Sequence, residues 1–219
     1  MYRLFLISCS LLVLNTYSEN ILISAITNIE TSMQTTQQKI KGSQGQIDTI
    51  IADMVTTKQE VARKRGSFRV HSRHSIHDKP TNKVIIDDTN IEKHQARLSL
   101  ERLTLAKLEK CLFLLQAQKN IICEVQSSPA FSDLSNKKCT KLLHSLNHPL
   151  SPLLHGYAET LQAQADVDKV PKILQSIPRL SQTAYEKFYV EYYFNPMHRL
   201  QQERRSGEVE ILNKLLSIR

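Results

Sequence analysis

Residues 26–61 read ITNIETSMQTTQQKIKGSQGQIDTIIADMVTTKQEV. Ile26, Met33, Ile40, Ile47, Met54 and Val61 recur there at every seventh position, and all are apolar. The companion positions three residues on are Ile29, Thr36, Ser43, Ile50 and Thr57, so isoleucine shares that column with small hydroxyls. A 3.5-residue hydrophobic period keeps one stripe of a helix turned toward a partner helix, as in a coiled-coil seam. At about 1.5 Å per residue the stretch makes a rod of roughly 54 Å. Its seam demands a partner, either later in this chain or in a second copy. Gly42 and Gly45 weaken the middle of the rod by about 1 kcal/mol each relative to Ala. Both lie off the seam, and the apolar phase passes from Ile40 to Ile47 without a slip, which favours one helix with a soft centre over a hairpin.

On its amino-terminal side the rod is preceded by an export-signal pattern. Arg3 supplies the positive start, Leu4 to Leu14 form the apolar run, and Asn15-Thr16-Tyr17-Ser18 is a polar exit. Thr16 and Ser18 are the small residues a signal peptidase reads, so cleavage is expected after Ser18 and the protein is expected outside the cytosol, secreted or periplasmic. The apolar run falls short of the roughly 20 residues that cross a bilayer, which makes an uncleaved membrane anchor the second reading. Leu6-Ile7-Ser8-Cys9 also has the form of a lipoprotein box, with Cys9 as the acylated residue.

Beyond the rod the pattern breaks. Arg63, Lys64, Arg65, Arg69 and Arg73 follow one another with no acid between Val61 and His77, and Pro80 closes the run. The stretch from Lys58 to Lys79 holds seven cations and two acids, and so carries most of the net charge of +8. Residues 65–88 read as a flexible basic loop, and a loop of that length is usually functional or disordered. Its charge suits nucleic acid or an anionic membrane surface. Thr89 and Glu92 have the spacing of a capping box, with Asp87 and Asp88 adding negative charge at a helix start. The helix they open carries Leu98, Leu105, Leu108, Leu112, Leu115 and Ile122 on one stripe, widened by Leu100, Leu103, Leu114 and Ile121. A face that broad belongs at the centre of a bundle, and Ser127-Ser128-Pro129 ends it.

The remainder is punctuated by proline into short helices. One ends near Leu146, and the next opens at Ser151-Pro152 with Leu153, Leu154, Tyr157 and Leu161 facing inward. Val170 to Ile177 makes a turn or two. Ser181 caps an aromatic-rich helix holding Tyr185, Phe188, Tyr189, Tyr192, Tyr193 and Phe194, which Asn195-Pro196 ends. A final segment, His198 to Ile218, is expected to bend at Ser206-Gly207. With five Gly, seven Pro and no Trp, the fold expected is all-α: a long amino-terminal helix (19–64), the basic loop (65–88) and a helical bundle (89–219).

The chemistry-bearing residues point away from catalysis. No Gly-rich phosphate loop, nucleophile elbow or paired acidic motif occurs. His71, His74 and His77 sit among repelling cations, and His144 and His148 lack the glutamate of a zinc-protease helix. No metal, cofactor or small-molecule substrate is expected. Cys123 and Cys139 flank the turn after Ser127 and are the pair a disulfide would join outside the cytosol, because Cys111 lies roughly 18 Å along the same helix from Cys123. In architecture alone the chain resembles exported coiled-coil chaperones and secretion-apparatus subunits. That likeness implies a scaffold or interaction protein acting through its rod and basic loop, with a protein partner or a second copy on the heptad seam. The alternative is a nucleic-acid or anionic-membrane binder using Arg63 to Arg73.

Overall fold

The computed structural model describes the backbone of residues 2–71, 83–128, 136–148 and 150–217, and the side chains of residues 20–63, 89–128, 137–148 and 150–217. Every regular element among them is helical. In chain order these are α1 (Tyr2–His71), α2 (Lys83–Ser127), α3 (Asn136–Asn147), α4 (Ser151–Val167), α5 (Val170–Ser176), α6 (Gln182–Tyr189), a π-helical turn (Val190–Phe194) and α7 (Asn195–Ser217). The all-α class expected from the sequence is the class observed.

The helices form two units. Residues 36–109 make a two-helix unit, and residues 1–35 with 110–219 make a bundle. In the bundle, the core joins Leu22 of α1 to Ala117, Ile121, Ile122 and Val125 of α2, Cys139, Leu142 and Leu146 of α3, Leu154, Tyr157 and Ala158 of α4, and Ile211 and Leu215 of α7. Helices α4 and α7 pack extensively against each other. Gly207 of α7 faces the Tyr157 ring of α4: a Cβ there would lie 3.6 Å from Cδ2 of Tyr157, an ordinary contact distance. In hydroxyl-rich α1, Thr27, Thr31, Ser32 and Thr35 donate back to the carbonyl four residues earlier, at 2.9–3.0 Å, which satisfies their donors within the helix.

In the two-helix unit, the Ser43 hydroxyl donates to Oε1 of Glu101 at 2.8 Å, placing α1 beside α2. Parallel packing with that contact would require the connection from His71 to Lys83 to bridge roughly 70 Å, whereas that many residues fully extended reach only about 43 Å. The pair is therefore an antiparallel αα-hairpin.

Several boundaries differ from the sequence reading. The expected loop over residues 65–88 is helical at both ends, because α1 runs on to His71 and α2 begins at Lys83, while residues 72–82 lie outside the described residues. Arg and Lys are good helix formers, and Pro80 is the first residue beyond Val61 that forbids an interior helix position. The Thr89–Glu92 pair consequently lies inside α2 instead of at its start. Asn195-Pro196 does not end a helix either. The π-turn directly before it lets the Asn195 N–H reach the Val190 carbonyl, and the widened turn accommodates a residue that lacks an N–H and crowds the carbonyl four positions back. Helix α7 also passes through Ser206-Gly207 without a break. The cap at Ser181 is as expected, its Oγ accepting from the Ala184 N–H at 3.3 Å.

Candidate interaction surfaces

The heptad seam divides between the two units. Ile26 is half-buried against the bundle core, and Met33 is half-buried as well. In the hairpin, Ile40, Ile47 and Met54 are half-buried and Val61 is buried. The companion column lies deeper: Thr36, Ser43 and Ile50 are all buried. The contact line with α2 therefore runs along the hydroxyl-bearing column, and small side chains let the helices approach there. Opposite it on α2, Ile91, His94, Leu98, Glu101, Leu105 and Leu108 are half-buried at coiled-coil spacing. The Ser43–Glu101 bond puts a polar rung inside this stripe. Gln46, with its amide nitrogen turned toward Glu101, adds donors at 3.0 and 3.3 Å from the two carboxylate oxygens. A satisfied polar rung in a seam costs stability but fixes register, since any slip would leave Glu101 among apolar groups.

Two lines of apolar residues are left uncovered on the hairpin. Ile51 and Val55 of α1 are 40 % and 49 % exposed, on the flank of the seam beside Ile47 and Met54. Leu100 and Leu103 of α2 are 64 % and 53 % exposed. The sequence reading assigned both leucines to the buried face. The structure turns them to the side of α2 opposite the seam, because the broad apolar face is enclosed by other helices only from Leu112 onward.

The bundle contains a polar network that the sequence reading missed. The Tyr157 hydroxyl of α4 donates to Glu208 of α7 in a short hydrogen bond. Glu208 also takes Nε of Arg204 at 3.3 Å, and Asn120 of α2 reaches the Tyr157 hydroxyl at 3.5 Å. Burial, reinforced by the bond to Glu208, pushes the Tyr157 phenol up to about 12. The i, i+4 spacing of Arg204 and Glu208 was visible in the sequence, but their meeting with Tyr157 depends on how α4 and α7 cross. Beside the network, Leu153, Gly156, Thr160, Arg199, Gln202 and Ser206 help line an open cleft of about 470 Å³. Next to Asn120 on α2, Lys119 pairs with Glu30 of α1 at 2.7 Å, and that hydrogen bond holds the lysine pKa above its ordinary value.

The remaining candidate residues are placed as follows. Arg63 is exposed, while the side chains of Lys64, Arg65, Arg69 and Arg73 lie outside the described residues, as do those of Cys9 and of His71, His74 and His77. Of the expected disulfide pair, Cys139 is turned into the bundle core and Cys123 is half-buried on α2. His144 and His148 have ring centroids 5.5 Å apart, and no group of His, Cys, Asp or Glu among the described residues is arranged to hold a metal ion. The tyrosines form a ladder, with Tyr185–Tyr189 centroids at 6.0 Å and Tyr189–Tyr193 at 4.9 Å. These three rings are half-buried, whereas Tyr192 and Phe194 on the π-turn are 52 % and 57 % exposed. Among the described residues no helix is long and apolar enough to cross a membrane. No protein-family model, curated protein or solved structure matches the chain.

Proposed function

We propose that this chain is a helical scaffold protein that works by pairing helices, and that its hairpin associates with a second copy along the α1 flank formed by Ile47, Ile51, Met54 and Val55. The supporting observation is the exposure of Ile51 and Val55 beside an incompletely buried seam. Two helices can bury only the stripe between them, and large aliphatic side chains next to that stripe gain roughly 25 cal/mol per Å² when further helices cover them. The exposed neighbours Gln44, Asp48 and Lys58 are of mixed character, as expected of positions flanking a helix–helix contact. Replacing Ile51 and Val55 together with Lys is expected to leave helicity intact and to convert an associated species to a monomer in sedimentation velocity. A wild-type chain that is monomeric at every concentration, or a double variant that associates as well as wild type, would remove this reading.

The same proposal places the scaffold outside the cytosol, supported by Arg3 followed by the apolar run Leu4 to Leu14. The intact mass of the protein from its native host is expected to begin at Glu19. A full-length mass would instead make the amino-terminal segment part of the working protein.

A further inference from the structure

The outward side of α2 in the hairpin has a different character from the α1 flank. At about 100° per residue, Lys93, Ala96, Arg97, Leu100, Leu103, Thr104 and Lys107 fall within an arc of roughly 120° centred on Leu100. All seven are exposed, and the half-buried seam residues Ile91, Leu98 and Leu105 occupy the opposite side. The arc holds three cations and no acid. None of the three enters an ion pair among the described residues. Leucines exposed at 64 % and 53 % are thus framed by unpaired positive charge, on a helix whose other side is already engaged.

We infer that this face of α2 docks on an anionic lipid surface, lying in the plane of the interface. Two features of the arc suit it to such a surface. Its leucines enter the boundary between headgroups and acyl chains, and Lys and Arg lie beside them with stems long enough to return their charge to the phosphates. A second copy of the hairpin is disfavoured here, because two such faces would bring like charges together. An acidic polypeptide could satisfy the cations, but two adjacent leucines on a convex helix offer it no groove to enter. This surface uses residues distinct from the α1 flank and does not require self-association.

The experiment is co-sedimentation of the full chain with vesicles of phosphatidylcholine alone or mixed with phosphatidylglycerol, for wild type, Leu100→Gln/Leu103→Gln and Lys93→Glu/Arg97→Glu/Lys107→Glu. Wild type is expected to bind the mixed vesicles and to lose binding steeply with added salt. Each cation near the surface is worth roughly fivefold in partitioning, so the triple charge reversal should cut binding by about a hundredfold or more. The double glutamine variant should lower binding on the mixed vesicles by roughly tenfold or more while keeping the wild-type salt dependence. All these positions are exposed, so circular dichroism should show unchanged helicity. The inference is overturned if both variants bind like wild type, which would assign binding to the apolar amino-terminal segment or to Arg63–Arg73. It is equally overturned if the chain ignores the vesicles and binds polyglutamate through the same residues. Both results are independent of the sedimentation outcome for Ile51 and Val55.

Discussion

Replacing Leu22 with Asp is expected to unfold the bundle, with a loss of at least about 4 kcal/mol. Leu22 is fully buried and packs in the common core of α1, α2, α3, α4 and α7. Aspartate there removes the apolar contact and leaves a carboxyl group without a partner, and the loss is a large part of the roughly 5–15 kcal/mol that stabilises a typical domain. The adjacent substitution Ile23→Asp is the control. Ile23 is half-exposed, so its replacement should cost about 1 kcal/mol or less. Urea unfolding followed by circular dichroism separates the two. Equal effects from both variants would show that the start of α1 is not anchored in the bundle by Leu22. The result bears on export, because cleavage after Ser18 would leave Leu22 in place with only a few residues ahead of it.

The second large effect concerns Tyr157. Its phenol is held protonated by burial and by donation to Glu208, with its pKa at about 12 compared with 10.0 for the free group. The folded-state value lies above the unfolded one. The stabilisation is therefore complete below pH 10 and is lost as the pH rises through about 12. A difference of that size between the folded and unfolded chain corresponds to something on the order of 2–3 kcal/mol. Tyr157→Phe deletes the donor and leaves the Glu208 carboxylate only Arg204, so at neutral pH the variant should be less stable by about 1.5–3 kcal/mol. Between pH 10 and pH 12 the gap between wild type and variant should close. The other titratable groups are shared by both proteins and cancel in the difference. A gap that persists unchanged at pH 12, or no gap at neutral pH, would refute the Tyr157–Glu208 link.

The parts of this architecture that were legible in the sequence are those governed by neighbours along the chain. The seven-residue recurrence of Ile40, Ile47, Met54 and Val61 marks a helix with one contact stripe wherever its partner lies, and α2 of the same chain supplies a partner. Ser181 could be recognised as a cap because capping engages the N–H groups of the next turn. Pro196 misled for the same reason. Proline normally ends a helix, and nothing local announces that a π-turn will make room for it. The candidate surfaces were less legible. Leu100 and Leu103 look like core residues until the other helices are in place, since exposure depends on what happens to lie opposite. Tyr157 and Glu208 are far apart in sequence, and neither stands out before α4 crosses α7 at Gly207.

The sequence by itself thus determined the helical class, the heptad stripe, and the concentration of positive charge around the hairpin connection. Each follows from periodicity, local propensity or composition, and none depends on a distant contact. Only the tertiary structure decided that the hydroxyl column of Thr36 and Ser43 would be the deeper one. It also decided that Glu101 would be satisfied inside a seam and that two leucines would face outward among unpaired cations. Those outcomes depend on the rotation of each helix about its axis, which is settled by the packing of side chains across helix pairs and not by any segment read alone.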